Sequence, residues 1–231
     1  MVLPFLFMVT LFEKFMTFCC FSLRAIRPYT NARRDSFEGF TLVELLVVIS
    51  IIMLLGALLA PALSRARAMA QRTKCMSNLR QIGMATQLYV NDYGAYPSAW
   101  QSSTSRWMDL IKPYLEKKSY VYRCPSDPVQ ATLPWDPDIT MSYGMNCFNF
   151  GGNDHCFWYG VGDNNVASPS GTILFADCDP GLYYCGGGGV FHDPVNHVAY
   201  RHAGVTFCAA FCDGHVDALK ITTQANWDAS K

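Results

Sequence analysis

Residues 40–63 constrain the fold more strongly than any other part of the chain. Their side chains are almost all apolar, and Glu44 is the one formally charged residue among them. A helix needs about 20 apolar residues to cross the hydrocarbon core of a bilayer. The segment therefore predicts a membrane-spanning helix that carries a single acid near its start.

Glu44 is an unusual residue for such a segment. An unpaired charge inside a bilayer is costly, so acids within membrane helices generally mark function and have a partner. One interpretation is that Glu44 pairs with a cation. The alternative is that its side chain extends to the headgroup region of an ordinary signal anchor.

The residues around Glu44 carry a resemblance to a known family. Gly39-Phe40-Thr41-Leu42-Val43-Glu44 follows the basic pair Arg33-Arg34, and this arrangement resembles the processing site of type IV prepilins and type II secretion pseudopilins. The resemblance implies that a prepilin peptidase cuts after Gly39 and that the new N-terminal residue, Phe40, is methylated. It also implies that Glu44 meets the Phe40 amine of a neighbouring subunit and acts in assembly.

Residues 1–39 are more apolar than the short basic leader that is usual in this family, as in residues 3–9. Two alternatives stay open: translation begins downstream, for example at Met16, or the whole segment is a long leader that is removed. A second mature membrane helix is less favoured, because Glu13 and Lys14 interrupt a run that is short for a span. The resemblance places the leader in the cytoplasm and exports the rest to the periplasm or cell surface.

The membrane segment is predicted to be the first half of a longer helix. Beyond it, helix-forming residues continue, and apolar side chains recur mostly at spacings of three or four. We predict a transmembrane half at 40–63 and an amphipathic half at 64–94 that packs against a globular domain. Pro61 removes a backbone hydrogen bond and predicts a bend, whereas Gly94 and Pro97 mark the end of the helix.

Residues 95–231 have the composition of a loop-rich β domain, with short aromatic and β-branched runs separated by Gly, Pro, Asn and Asp. A short helix is predicted around Pro113. The predicted strands are residues 172–176, 198–200, 205–211 and 216–219. Asp213-Gly214 predicts the turn of a final hairpin. The sequence thus predicts an α+β protein in which a long N-terminal helix packs on a small antiparallel sheet.

The C-terminal part carries a second resemblance. Arg201-His202, a strand-like run and Asp213-Gly214 resemble the processing-associated ending of a large group of bacterial prepilin-like proteins. In that group nine residues separate the His from Asp-Gly, whereas this chain has ten, and we interpret the extra residue within 203–212 as a bulge. Arg123-Cys124-Pro125-Ser126-Asp127 and Ser142-Tyr143-Gly144-Met145-Asn146 resemble segments of the same group. Arg201 and His202 are expected to make hydrogen bonds that hold the last hairpin.

The cysteines predict at least one disulfide. Without the leader, eight of the ten cysteines remain, and an exported, loop-rich domain with an even number of cysteines is typical of a disulfide scaffold. The local pairs Cys147 with Cys156 and Cys178 with Cys185 would each close a short loop, although eight cysteines allow many pairings. The alternative is that they are buried thiols that act as small apolar residues.

Motifs for metal binding and catalysis are weak. The C-terminal His and Asp residues lack a recognised zinc spacing, and the chain has no Cys-x-x-Cys pair. Asp177 and Asp179 are candidate calcium ligands, since major pseudopilins carry calcium in their C-terminal loops, but an EF-hand spacing is missing. No nucleophile elbow or phosphate loop accompanies the Cys and His residues. We therefore predict neither a bound cofactor nor enzymatic activity.

Together, these patterns favour a pseudopilin-like structural subunit with a single inner-membrane helix. The resemblance implies assembly with other subunits into a short filament of a type II secretion or type IV pilus-like system. The alternative is a membrane-anchored surface protein that uses a prepilin-type export signal and binds a ligand, such as a polysaccharide, through its aromatic loops. A formal net charge of zero does not indicate a nucleic-acid partner.

Overall fold

A computed structural model describes residues 41–102, 105–115, 119–148, 157–186 and 197–230. The leader, Gly39, Phe40 and Cys156 lie outside these ranges. The chain divides into two compact units, Met1–Met53 and Leu54–Lys231. The sheet and the core described below belong to the second unit.

Helix α1 runs from Leu42 to Tyr93 and contains Pro61. Within the described ranges it is the one helix that is long and apolar enough to cross a membrane, and its apolar part is exposed. The helix ends as predicted at Gly94, where φ is +70° and the N–H donates to the Val90 carbonyl at 2.7 Å. A glycine ends a helix readily in this way because it adopts a left-handed conformation without steric cost.

The second part of α1 buries one stripe of side chains. Cys75, Leu79 and Ile82 are fully buried, and their spacing of four and three places them on one helix face. They share a hydrophobic core with Tyr143 and Phe175 of the sheet. The predicted α+β arrangement, a long helix followed by a small sheet domain, is confirmed.

The main sheet has five strands in the order β7-β5-β6-β8-β9. Its strands are β5 (Tyr143–Asn146), β6 (Ile173–Asp177), β7 (Tyr184–Cys185), β8 (Phe207–Phe211) and β9 (Val216–Leu219). Every pair is antiparallel except β5 with β7, which is parallel. This departs from the fully antiparallel prediction because β8 occupies the other edge of β6. After β6 the chain reverses direction once. The next strand, β7, therefore runs in the same direction as β5 and pairs with it.

The smaller elements surround this sheet. Helix α2 (Trp107–Ile111) continues as a 3-10 helix (Lys112–Leu115), as predicted around Pro113. Two short hairpins pair β1 (Trp100–Ser102) with β2 (Ser105–Arg106) and β3 (Thr132–Leu133) with β4 (Asp136–Thr140). Further 3-10 helices are Ser119–Tyr122, Asp163–Asn165 and Gln224–Asn226.

Residues 198–200 do not form the predicted strand. Val198 makes a single bridge with Cys178, and the backbone hydrogen bonds between these segments join residues 177 and 179 to residues 199 and 197. The pairing is confined to this short stretch because the chain turns soon afterwards, at Ala203 and Gly204, where φ is +56° and +72°.

The final hairpin forms at Asp213-Gly214, as predicted, with φ of +90° at Gly214. The pairing of β8 with β9 is regular, so the bulge interpreted within residues 203–212 is not present in this hairpin. The register instead shifts between β6 and β8, at Ile173 to Phe175. The bulge prediction was wrong because a count of residues between two motifs does not show which of the paired strands has the irregularity.

Gly144 allows the neighbouring chain segments to close over β5. A Cβ atom at this position would lie 2.6 Å from the backbone carbonyl carbon of Tyr184 and 2.8 and 2.9 Å from the sulfurs of Cys178 and Cys185. Gly144→Ala should therefore lower the free energy of unfolding by about 3 kcal/mol, the upper end for overpacking, because a backbone atom cannot rotate away. Urea denaturation of the full chain in detergent micelles measures the change.

Gly83→Ala is the matched control for this substitution. No atom lies within 4 Å of the added Cβ at Gly83, which is inside α1. Alanine is favoured over glycine within a helix by roughly 0.5–1 kcal/mol, so this variant should be as stable as the parent or more stable. A similar loss in both variants would contradict the steric explanation for Gly144.

Candidate functional site

Glu44 caps the N-terminus of its own helix. Its Oε2 accepts hydrogen bonds from the Thr41 N–H at 2.8 Å and the Thr41 hydroxyl at 2.7 Å, and the Glu44 N–H lies 3.2 Å from Thr41 Oγ1. This reciprocal pattern is a capping box. Glu44 is exposed, so a cation outside the subunit has access to the carboxylate.

A disulfide joins Cys75 of α1 to Cys124, with the two Cα atoms 5.3 Å apart. The prediction of a disulfide is confirmed, although this pair was not among the local pairs suggested by the sequence. One signal was available: Cys75 continues the apolar stripe of Leu79 and Ile82, which places its thiol towards the domain. Nothing in the sequence indicates Cys124 as the partner, because 49 positions separate the two residues.

Cys178 and Cys185, one of the predicted pairs, are both free buried thiols. Cys178 follows β6 and Cys185 lies on β7, and these strands pair with opposite edges of β5. The two sulfurs nevertheless come close, since a Cβ atom at Gly144 of β5 would lie 2.8 Å from one and 2.9 Å from the other, but no bond joins them. The other pair, Cys147 with Cys156, falls outside the described residues because Cys156 does.

Arg201 lies at the centre of a buried polar cluster. Its guanidinium donates to the Ser142 carbonyl at 3.2 Å and to the Cys178 carbonyl. It also lies 3.4 Å from the Asp127 carboxylate and 4.0 Å from that of Asp177, and both acids are fully buried. One cation thus connects the start of β5, the end of β6 and the loop after Cys124.

Asp127 fixes the loop that contains Cys124. Its Oδ1 accepts hydrogen bonds from the backbone N–H groups of Val129 and Gln130, and its Oδ2 accepts one from the Ser142 hydroxyl at 2.7 Å. The carboxylate therefore closes a turn in its own loop and joins that loop to the residue before β5. Both oxygens have hydrogen-bond donors, which offsets the cost of burying the charge.

His202 continues the cluster towards α1. Its Nε2 lies 3.1 Å from Asp177 Oδ2 and 3.8 Å from the sulfur of Cys124, and its Nδ1 lies 3.3 Å from the Ser126 hydroxyl. Asp177 Oδ2 also accepts a hydrogen bond from the Cys208 N–H at 2.7 Å. The buried polar cluster, as the term is used below, comprises the Cys75–Cys124 disulfide, Asp127, Asp177, Arg201 and His202.

The three short motifs of the globular domain meet in this cluster. Residues 123–127 supply Cys124 and Asp127, residues 142–146 supply the acceptors of Ser142, and residues 201–202 supply the cation and the imidazole. The sequence identified each motif separately but did not indicate that they converge. Arg201 and His202 hold the segments before and after the central strands, whereas the last hairpin is closed by its own Asp213-Gly214 turn.

The candidate calcium ligands have separate partners. Asp177 faces Arg201 and His202 inside the protein, whereas the Asp179 carboxylate lies 3.4 Å from His197 at the surface. In the described ranges Asp179 belongs to no group of three or more side chains that could share an ion. The calcium site stays a prediction, and the two carboxylates have different partners here because alternating acids at a strand end need not turn their side chains to one point.

A cavity of about 300 Å³ opens beside the cluster, between α1 and the loop after Cys124. Gln71, Ser126, Arg201 and His202 contribute to its lining. The thiols of Cys208 and Cys212 are poor nucleophiles, because burial raises the pKa of each and keeps both protonated.

The tryptophans considered for ligand recognition mostly contact one another or the core. Trp107 is fully buried and donates its indole N–H to the Tyr183 carbonyl at 2.7 Å. Trp100 stacks on Trp158, with centroids 6.3 Å apart. The Arg106 guanidinium lies 3.9 Å from the ring centre of Trp135. Ring faces that a sugar would need are thus in part covered by protein groups.

Two sequence families match parts of the chain. Residues 34–60 match the prokaryotic N-terminal methylation motif, and residues 64–121 match a family described as a protein of unknown function, DUF1559. The first match covers the predicted processing site and most of the apolar segment. No solved structure matches the chain.

Curated relatives share the name type II secretion system core protein G. The protein of Klebsiella michiganensis is 33% identical over 103 residues, which cover 42% of this chain and 70% of that protein. The protein of Escherichia coli K12 is 34% identical over 98 residues, which cover 41% of this chain and 68% of that protein. With the methylation motif, the exposed apolar part of α1 and the sheet domain, these similarities show that the chain belongs to the pseudopilin family of type II secretion system core protein G.

Proposed function

We propose that the mature protein begins at Phe40 and is a subunit of a short filament in a type II secretion or related system. In this proposal, residues 1–39 are a leader that a prepilin peptidase removes, and Phe40 is then methylated. Residues 40–63 anchor the subunit in the inner membrane, and residues 64–94 and 95–231 form the periplasmic part. The match to the methylation motif and the similarity to core protein G support each of these steps.

The exposed carboxylate of Glu44 carries the proposal. Cleavage after Gly39 creates a positive amine on Phe40, four residues before Glu44. Because the Thr41 cap holds the carboxylate at the start of α1, its free lone pairs are presented to the amine of a neighbouring subunit. The pairing neutralises a charge that is costly within a membrane and sets the axial position of one helix against the next.

Other pseudopilin subunits are therefore the proposed partners, together with the prepilin peptidase and methyltransferase. The activity is assembly, without catalysis by the chain itself. The alternative of a ligand-binding surface protein is less supported, since the tryptophan rings stack on each other and on Arg106.

Glu44→Val should abolish assembly, with the filament fraction falling by at least about tenfold, because the neighbour's amine loses the charge that pairs with it. Sedimentation of sheared filaments from cells that make the full system measures this fraction. Glu44→Gln should behave similarly, because the amide keeps the shape but not the charge. Val47→Ile, an apolar exchange in the same segment, is the matched control and should assemble normally.

Mass spectrometry of the mature protein separates a failure of processing from a failure of assembly. All three variants should have lost the residues before Phe40 and gained one methyl group at its amine. Normal filaments with Glu44→Val would refute the pairing, whereas a mature protein that retains its leader would refute the proposed processing.

A further inference from the structure

The buried polar cluster brings four ligand-type side chains together. Cys75, Cys124, Asp177 and His202 each offer one sulfur, oxygen or nitrogen atom, and all of these atoms lie within 4.8 Å of one another. All four residues are buried. We propose that these side chains form a closed, four-coordinate Zn²⁺ site when the Cys75–Cys124 disulfide is reduced.

The donor set suits zinc. Two thiolates, one imidazole nitrogen and one carboxylate oxygen are common zinc ligands, and a closed site of four protein ligands is typical of structural zinc. Zinc bonds of about 2.0–2.3 Å in a tetrahedron separate the ligand atoms by about 3.3–3.8 Å. His202 Nε2 already lies 3.1 Å from Asp177 Oδ2 and 3.8 Å from the Cys124 sulfur, so two edges of this tetrahedron need little adjustment.

The groups around the ligands complete the site. When Nε2 of His202 binds metal, its proton moves to Nδ1, which lies 3.3 Å from the Ser126 hydroxyl oxygen and can donate to it. The Cys208 N–H, at 2.7 Å, orients the Asp177 carboxylate. Among the described residues, Asp177 Oδ1 is a buried oxygen without a hydrogen-bond donor. The carboxylate therefore retains acceptor capacity for a cation.

Zinc and the disulfide exclude each other because they use the same two sulfurs. A dithiol or phosphine reductant supplies two electrons and, with water, two protons, so that the sulfur–sulfur bond breaks and two thiols form while the reductant is oxidised. Zn²⁺ then displaces both thiol protons. The cavity beside Ser126 and His202 gives the ion a route from solvent. No ligand spacing appears in the sequence because the four residues come from four separate segments.

Cobalt spectroscopy tests the site directly. The full chain in detergent micelles is reduced with a phosphine under anaerobic conditions and titrated with Co²⁺. We expect a near-ultraviolet thiolate-to-cobalt band and strong visible bands of four-coordinate cobalt, saturating at one equivalent and bleached by Zn²⁺. The oxidised protein should show neither set of bands.

Substitutions then identify the ligands. Cys124→Ser and His202→Gln should each remove or shift the bands, whereas Cys212→Ser, which changes a buried thiol outside the cluster, should leave them unchanged. Ser126→Ala should weaken zinc binding by roughly 10-fold to 100-fold, the usual effect of removing an outer partner of a metal-bound histidine.

Three results would overturn the zinc site. One is a reduced, folded protein without cobalt bands, and another is the persistence of the bands in a Cys75→Ser, Cys124→Ser double variant. The third concerns a domain that unfolds on reduction. Zinc should then restore its native circular dichroism spectrum, and failure to do so would overturn the site. None of these results depends on filament assembly.

Discussion

Arg201→Met is expected to lower the free energy of unfolding of the globular domain by about 3–5 kcal/mol, the usual cost of removing one partner from a buried ion pair. The guanidinium lies 3.4 Å from Asp127 and 4.0 Å from Asp177, and both carboxylates are fully buried. Methionine preserves the length and apolar stem of the side chain but removes the charge. The variant therefore leaves two buried acids without their cation, and the Ser142 and Cys178 carbonyls each lose one donor, although Ser142 keeps the Cys178 N–H.

Urea denaturation of the full chain in micelles measures this loss. Arg123→Met is the matched control, because Arg123 is an exposed residue of the neighbouring loop, and a surface change of this kind is usually worth within about 0.5 kcal/mol. Adding Asp127→Asn to Arg201→Met should recover part of the stability, since one of the two uncompensated charges is removed. Equal effects of the two arginine variants would show that the buried ion pairs do not stabilise the domain.

Removal of the Cys75–Cys124 disulfide should cost about 4 kcal/mol, because the bond closes a loop of 49 positions and restricts the unfolded chain. The Cys75→Ser, Cys124→Ser double variant, compared with the oxidised parent by urea denaturation in a chelating buffer, measures the effect. The parent should lose a similar amount when it is reduced in the same buffer, where no zinc is available to the thiols.

The double variant also provides the control for this experiment. A reductant should leave its stability unchanged if the Cys75–Cys124 bond accounts for the effect in the parent. If the reductant destabilises the double variant as much as it destabilises the parent, another disulfide in the chain is responsible. That result would also redirect attention to Cys147 and Cys156.

Features that depend on neighbouring residues were predictable from the sequence. Helix α1 and its end at Gly94 follow from helix-forming residues and a glycine stop, and the final hairpin follows from Asp213-Gly214. The membrane segment follows from its length and composition. Each of these features depends on interactions between residues a few positions apart, whose spacing is visible in the sequence.

Pairing between distant segments was predicted less well. Local closure suggested Cys178 with Cys185, but both are free thiols, and Cys75 bonds to Cys124 instead. The strand expected at residues 198–200 is a single bridge, and β7 joins the sheet in parallel with β5. The last two outcomes depend on which strand edges are vacant after the rest of the sheet has formed, and neighbouring residues carry no information about that.

The sequence by itself determined the family, the apolar segment and the single acid within it, Glu44, because these are encoded within a short stretch of consecutive residues. Only the tertiary structure decided that Cys124, Asp177, Arg201 and His202 form one cluster beside Cys75. Burial is the physical reason. Charges and ligand atoms removed from water must find partners inside the protein, and the fold, rather than their spacing along the chain, selects those partners.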